Sequence, residues 1–287
     1  MTNFQDSFAA NQQMAVTTFS YDEEKVILYA LGIGAGVDEL DFVYEKNLKV
    51  LPTIATFPAV KALFELVMPY LKLDLLTLLL SEHAIILHKA IPTSGTLYTT
   101  AGCKEIYDRG DNGAFIHVSF ETRDHGQELL FENHMLLIDR NGGNFGGAPG
   151  RQAKPPQTLQ DREPDFVFRQ TIPTDQCAVY RLSGDKSALH IDPEVAVEAG
   201  LPRPVFHGFG TLGYTVRGIV KNIGGGDPIR LKAVATRFTD MVFPGDTLIT
   251  ERWNIKNDTY IFRTTNQGGK LILADFFSRN TLNEAKE

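Results

Sequence analysis

The feature that most restricts this chain is a change of hydrophobic period that occurs twice along it. Between Tyr21 and Ile33, Val26, Ile27, Ala30, Leu31 and Ile33 recur at helical spacing, with Asp22, Glu23 and Glu24 where they complement a helix N-terminus. Pro58 to Tyr70 repeats that spacing with Val60, Leu63, Phe64, Leu66 and Val67. From about Ala84 the period becomes two, predicting strands at Thr96–Tyr107, Ala114–Thr122 and Leu129–Ile138. Turn residues separate them, at 109–113 and at Asp124-His125-Gly126. A Gly- and Pro-rich segment from Gly142 to Pro156 has the composition of a linker. The pattern then restarts: a strand at Phe166–Ile172, a helix at Gly208–Asn222, and strands at Ile229–Thr239, Asp246–Ile255, Tyr260–Asn266 and Leu271–Ser278. Residues 1–20, polar and irregular, read as a flexible lead-in. Helices set apart from runs of antiparallel strands indicate an α+β fold, and the shared order suggests one architecture repeated in residues 1–150 and 151–287.

Composition removes several classes of function. The 287 residues carry 28 Lys and Arg against 35 Asp and Glu, a net charge of −7, where a dedicated nucleic-acid binder usually has a basic excess. The only cysteines, Cys103 and Cys177, form no CxxC, so neither a structural zinc nor a disulfide framework is expected. No uninterrupted apolar run approaches a membrane span of roughly 18 residues; the greasiest, Leu71–Leu80, is broken by Lys72, Asp74 and Thr77. The first residues lack the pattern of a secretion signal. The expectation is a soluble intracellular protein with no membrane span.

The densest chemistry lies in Tyr180-Arg-Leu-Ser-Gly-Asp185-Lys-Ser-Ala-Leu-His190-Ile-Asp192-Pro, followed by Pro204-Val-Phe-His207-Gly208-Phe-Gly210. A carboxylate and an imidazole five residues apart on a loop could converge on one water molecule. A plainer reading stands beside it: a turn at Ser183-Gly184-Asp185, a satisfied loop histidine, and Asp192 capping a helix that starts at Pro193. Gly208 falls where the next helix begins, so its amide has no helical carbonyl to satisfy and can stabilise a negative oxygen.

This stretch resembles the hydratase 2 motif of the MaoC-like (3R)-specific enoyl-CoA hydratases, which reads Tyr-Arg-Leu-Ser-Gly-Asp-x-Asn-Pro-Leu-His-x-Asp-Pro and continues to His-Gly-Leu. The match runs from Tyr180 to Phe209, and Asn141 to Gly147 is similar to the glycine-rich end of the family's first half. Two-domain eukaryotic members, as in peroxisomal multifunctional enzymes, have about this length. The resemblance implies a double hot-dog, two long helices each wrapped by an antiparallel sheet. The 1–150 half would be degenerate and form the acyl-chain pocket; the 151–287 half would carry the motif. It implies Asp185 and His190 as the acid/base dyad, with the Gly208 amide and Ser187 at the thioester oxygen and His207 and Asp192 as structural support. The reaction implied is reversible syn hydration of trans-2-enoyl-CoA to the (3R)-3-hydroxyacyl-CoA in fatty acid β-oxidation, on medium to long chains. No cofactor is implied, CoA being part of the substrate; a homodimer and a peroxisomal location are. The chain ends Ala285-Lys286-Glu287, which is not a peroxisomal address, and without one the location would be cytoplasmic.

Two departures from the family stand out: Ser187 and Ala188 replace its Asn-Pro, and Leu80-Ser81-Glu82-His83 replaces a first-half His-Gly-Glu-Gln, keeping the Glu. A serine hydroxyl offers one donor at shorter reach than an amide. Gly208-x-Gly210-x-x-Gly213 spells a dinucleotide fingerprint but lacks the βαβ setting, so these glycines are read as close packing of the helix on its sheet. His190, Asp192 and His207 fit no common zinc spacing, and no metal is expected. Alternatives to the hydratase are a non-catalytic acyl-CoA-binding hot-dog protein, disfavoured by retention of both dyad residues, and a hot-dog acyl-CoA thioesterase, disfavoured by the Asp-x4-His arrangement.

Overall fold

In the computed structural model, which describes residues 13–150, 162–256 and 259–280, the first half runs β1 (Gln13–Tyr21), α1 (Glu23–Gly32), α2 (Pro52–Leu71), β2 (Leu78–Leu87), β3 (Gly95–Asp108), β4 (Ala114–Arg123) and β5 (Leu129–Asp139). The second runs β6 (Phe166–Thr171), α3 (Gln176–Tyr180), α4 (Pro193–Glu198), α5 (Gly208–Asn222), β7 (Leu231–Phe238), β8 (Thr247–Lys256), β9 (Thr259–Asn266) and β10 (Leu271–Asn280). All ten strands join one antiparallel sheet in the order β1-β3-β4-β5-β2-β7-β10-β9-β8-β6. Read outward from the middle, both halves have the same order. The seam is β2 against β7, with Ala84 opposite Ala235.

Each helix has a local cause. Asp22 caps α1 by accepting the Lys25 N–H at 2.9 Å, and Glu23 and Glu24 fill its first turn. α2 starts at Pro52, earlier than the spacing suggests, because a turn of 3₁₀ helix at Pro52–Ala55 leads into it. A π turn over Leu63–Val67 widens its middle, and Lys72 in the left-handed region (φ 54°) ends it. This helix is long and apolar enough to cross a membrane by length and composition, which the reading of uninterrupted apolar runs did not register. Just over half of its most apolar window (56%) is nevertheless buried inside the fold. Ala59, Ala62 and Val67 are fully buried there against Ala101, Ile116, Val118 and Met135 of β3, β4 and β5. A sheet wrapped on a helix accounts for its apolarity.

Two expectations change. Residues 13–20 are not irregular: they form most of β1, an edge strand whose pattern is dilute because Thr17 and Tyr21 supply its buried side. Residues 1–12, the rest of the proposed lead-in, and residues 151–156 of the linker lie outside the described residues. The alternation does set in at about Ala84, with His83 and Ile85 buried, but the strand itself starts earlier, at Leu78. β2 is flanked on both sides, and a register shift between Leu80 and Glu82 breaks its alternation. The stripe Leu63 to Val67 is core at its ends, while Phe64 is exposed.

The two halves share a core. Tyr29 of α1 and Ile33, at its C-cap, pack with Tyr180, Phe206 and Tyr214 of the second half. The glycines of α5 do not all face the sheet. A Cβ on Gly213 would sit 2.5 Å from Ile33 Cγ2, so this glycine admits α1, whereas one on Gly218 would sit 2.2 Å from Phe168 of β6.

Candidate active site

Asp185, His190, His207 and the start of α5 meet at one place, as the sequence predicts. Tyr180, at the end of α3, is fully buried, and Gly184 adopts φ 153° with its α-carbon against Phe57, where a Cβ would fall 2.8 Å from the ring. That left-handed backbone requires glycine and turns the chain so that Asp185 faces inward. The Ser187 N–H donates to Asp185 Oδ1 at 3.2 Å. A single helical turn at Ala188–His190 then presents the imidazole.

The histidine's tautomer follows from its partners. His190 Nδ1 lies 2.8 Å from the Val205 carbonyl, which only accepts, so Nδ1 carries the proton. In the neutral ring Nε2 is therefore bare, and it faces Asp185 Oδ2 at 3.8 Å. That separation is too long for a direct hydrogen bond, and both atoms remain open to a third group, such as water, between them.

His207 is buried behind the pair. Its Nε2–H donates to the Asp185 carbonyl at 3.2 Å, and its ring stacks on His190 with centroids 3.8 Å apart. Burial first, and then the neighbouring His190, push its pKa down to about 4, so it is neutral at physiological pH. It thus holds the Asp185 loop to the residue preceding α5. Gly208 opens that 15-residue helix, exposed, with its N–H directed away from any helical carbonyl. Ser187 is exposed and touches the site through its backbone. Asp192 caps α4 by accepting the Glu194 N–H at 2.9 Å, as the plainer reading of that residue has it.

Sequence reasoning missed two supports of the site, one a backbone group and one a set of side chains brought together from distant segments. The Val205 carbonyl that fixes the tautomer is one. The support under Phe209 is another: buried His83 meets the Phe209 ring edge-on at 5.2 Å, donates through Nε2–H to Asn133 Oδ1 at 2.8 Å, and Asn133 donates to the Ala55 carbonyl. Burial holds His83 neutral, with a pKa pushed down to about 4. Glu82, the acid retained from the first-half motif, accepts Arg237 at 2.8 Å across the β2–β7 seam.

Asp185, His190 and His207 each offer a ligand atom, all within 4.8 Å of one another. Metal ions take ring lone pairs in the plane of each imidazole, and two rings stacked at 3.8 Å and 31° send theirs side by side rather than to one point. The cluster is better arranged for proton transfer.

Residues 19–141 match a family described as the MFE-2 hydratase 2 N-terminal domain, and residues 156–272 match the MaoC-like domain. A probable enoyl-CoA hydratase 2 of Dictyostelium discoideum is 32% identical over 271 residues, covering 92% of both chains. Peroxisomal multifunctional enzyme type 2 of Drosophila melanogaster is 35% identical over 260 residues, which is 86% of this chain and 43% of that enzyme. The solved MaoC-like dehydratase from Phytophthora capsici superposes with a TM-score of 0.85 at 26% identity, over 97% of this chain and 99% of that one.

Proposed function

The chain belongs to the MaoC-like hydratase 2 family, and from that premise we propose that it is a hydro-lyase adding water across trans-2-enoyl-CoA to give the (3R)-3-hydroxyacyl-CoA. The observation that carries this reading is the bare Nε2 of His190 facing Asp185 Oδ2 beside the open N-terminus of α5. A water between the two would lose a proton to His190 Nε2 as its oxygen bonds C3. Charge then accumulates on the thioester oxygen, where the Gly208 N–H stabilises it. The proton taken up by His190 passes to Asp185, which delivers it to C2 from the same face; this makes the addition syn and leaves both groups as they began. CoA enters as part of the substrate and no further cofactor takes part. Ser187 would add its hydroxyl at the thioester oxygen in place of the family's amide.

The first half, with no dyad of its own, would form the wall of the acyl pocket and favour medium to long chains. The peroxisomal relative supports β-oxidation in that compartment, and a homodimer is the assembly proposed. The test is loss of enoyl absorbance with crotonyl-CoA and with a ten-carbon enoyl-CoA, combined with chiral analysis of the product. The (3R) product, with higher kcat/KM on the longer substrate, is expected. Release of free CoA would replace this reading with a thioesterase, and binding without turnover would leave an acyl-CoA-binding protein.

A further inference from the structure

The β2–β7 seam, with the same strand order on either side, places an approximate two-fold axis through Ala84 and Ala235. The start of α5 lies beside the end of β7: the Phe206 N–H donates to the Val242 carbonyl at 2.7 Å, and a Cβ on Gly208 would meet Phe238 at 3.7 Å. The axis carries that place onto the start of α2 beside the end of β2. A cavity of about 240 Å³ opens there, walled by Leu48 and Val50 ahead of α2, Leu87 and Ile91 on the β2 side, and Ile229 and Leu231 at the entry to β7. The wall holds no acid–imidazole pair. It holds Lys49, Lys89 and Lys232 instead.

Two of these lysines are engaged, Lys49 with Asp41 at 2.6 Å and Lys89 with Glu128. Lys232 is half-buried with no carboxylate partner among the described residues. The one acid in the wall, Asp227, accepts the Ile229 N–H at 3.2 Å and lies 3.9 Å from Arg230. An apolar trough edged by a lysine that has no carboxylate partner among the described residues is complementary to a molecule that pairs an apolar chain with an anion.

We propose that this cavity is a second ligand site, taking a fatty carboxylate with its chain along Leu48, Leu87 and Ile91 and its carboxylate at Lys232. The site shares no residue with the dyad, so it stands or falls independently of the hydratase reading. Isothermal titration of the full chain with decanoate tests it, with decanol as the uncharged control. Decanoate is expected to bind saturably and one-to-one, with decanol at least about tenfold weaker, the cost of losing the charge pair. Ile229→Trp, which fills the mouth from a half-exposed position, and Lys232→Glu are each expected to abolish binding while enoyl-CoA hydration is unchanged. Absence of saturable decanoate binding to the parent chain would overturn the proposal. So would binding that survives both substitutions, which would place the ligand elsewhere.

Discussion

His190 is held through the ring nitrogen that it does not use, and this decides what substitutions at the site should do. Asp185→Asn keeps an acceptor for the Ser187 N–H, and His190→Asn keeps an amide donor at the position of Nδ1 for the Val205 carbonyl. Each is expected to leave the fold intact and to lower hydration by at least about a hundredfold, the usual effect of losing an acid or base; near-full turnover in either would remove it from the dyad. His83 and His207 make a separate prediction through stability. Both are held neutral with pKa values pushed down to about 4 from the usual 6.5, so the unfolded chain binds protons that the folded chain refuses between those values. Stability is therefore complete above pH 6.5 and is lost as pH falls towards 4, by about 1.4 kcal/mol per pH unit for each histidine at the steepest. Urea midpoints measured from pH 7.5 to 5 should show this slope, and His83→Gln should remove about half of it. At this scale the sequence was most legible where side chains do the work: Asp185, His190, His207 and the Gly208 helix start come together as the motif implies. The Val205 carbonyl and the unusual backbone of Gly184 were not legible as parts of the site, because neither is marked by a reactive side chain.

Elements meet here through positions whose reasons lie in the other half. Gly213 has Ile33 Cγ2 where its Cβ would be, with Tyr29 Oη at 3.1 Å, so α1 and α5 approach closely only because this residue is glycine. Alanine improves helix propensity by about 1 kcal/mol, but overpacking a buried contact costs roughly 1–3 kcal/mol. Gly213→Ala is therefore expected to destabilise by about 1 kcal/mol in urea unfolding; a stabilised variant would show that Ile33 yields freely. Glu39, in the loop after α1, is the buried partner of Arg217 on α5. Glu39→Ala should cost about 3–5 kcal/mol because it leaves the guanidinium buried without its anion, and Glu39→Gln should cost less. Neither contact could be read in advance, since nothing in a single helix identifies what will pack on it. α5 itself was legible to the residue, Gly208–Asn222, because its glycine start and periodicity are local signals. β1 and β2 were not, one having too few apolar residues at an edge and the other too many at the centre.

At the scale of the whole molecule, the repeat is two copies of one strand order closed into a single sheet, with a core that α1 and α5 hold in common. The linker composition of residues 142–156 suggests separable units, but the β2–β7 ladder, the Glu82–Arg237 pair and the packing of Tyr29 on Tyr180 all cross between halves. Units so joined should unfold together. The protein provides a convenient reporter, because its single tryptophan, Trp253, is buried on β8 in the second half and donates to the Arg162 carbonyl at 2.8 Å. Its fluorescence follows the second half alone, while far-UV circular dichroism follows both. The two signals are expected to give one coincident urea transition. The decisive variant is Ile85→Ala, fully buried on β2 opposite Val234, where truncation should cost about 2–5 kcal/mol. If the halves form one cooperative unit, this change in the first half lowers the Trp253 midpoint by as much as it lowers the dichroism midpoint. A Trp253 transition that stays in place while the dichroism splits in two would mean that the second half folds without the first, and that the seam joins two domains rather than completing one.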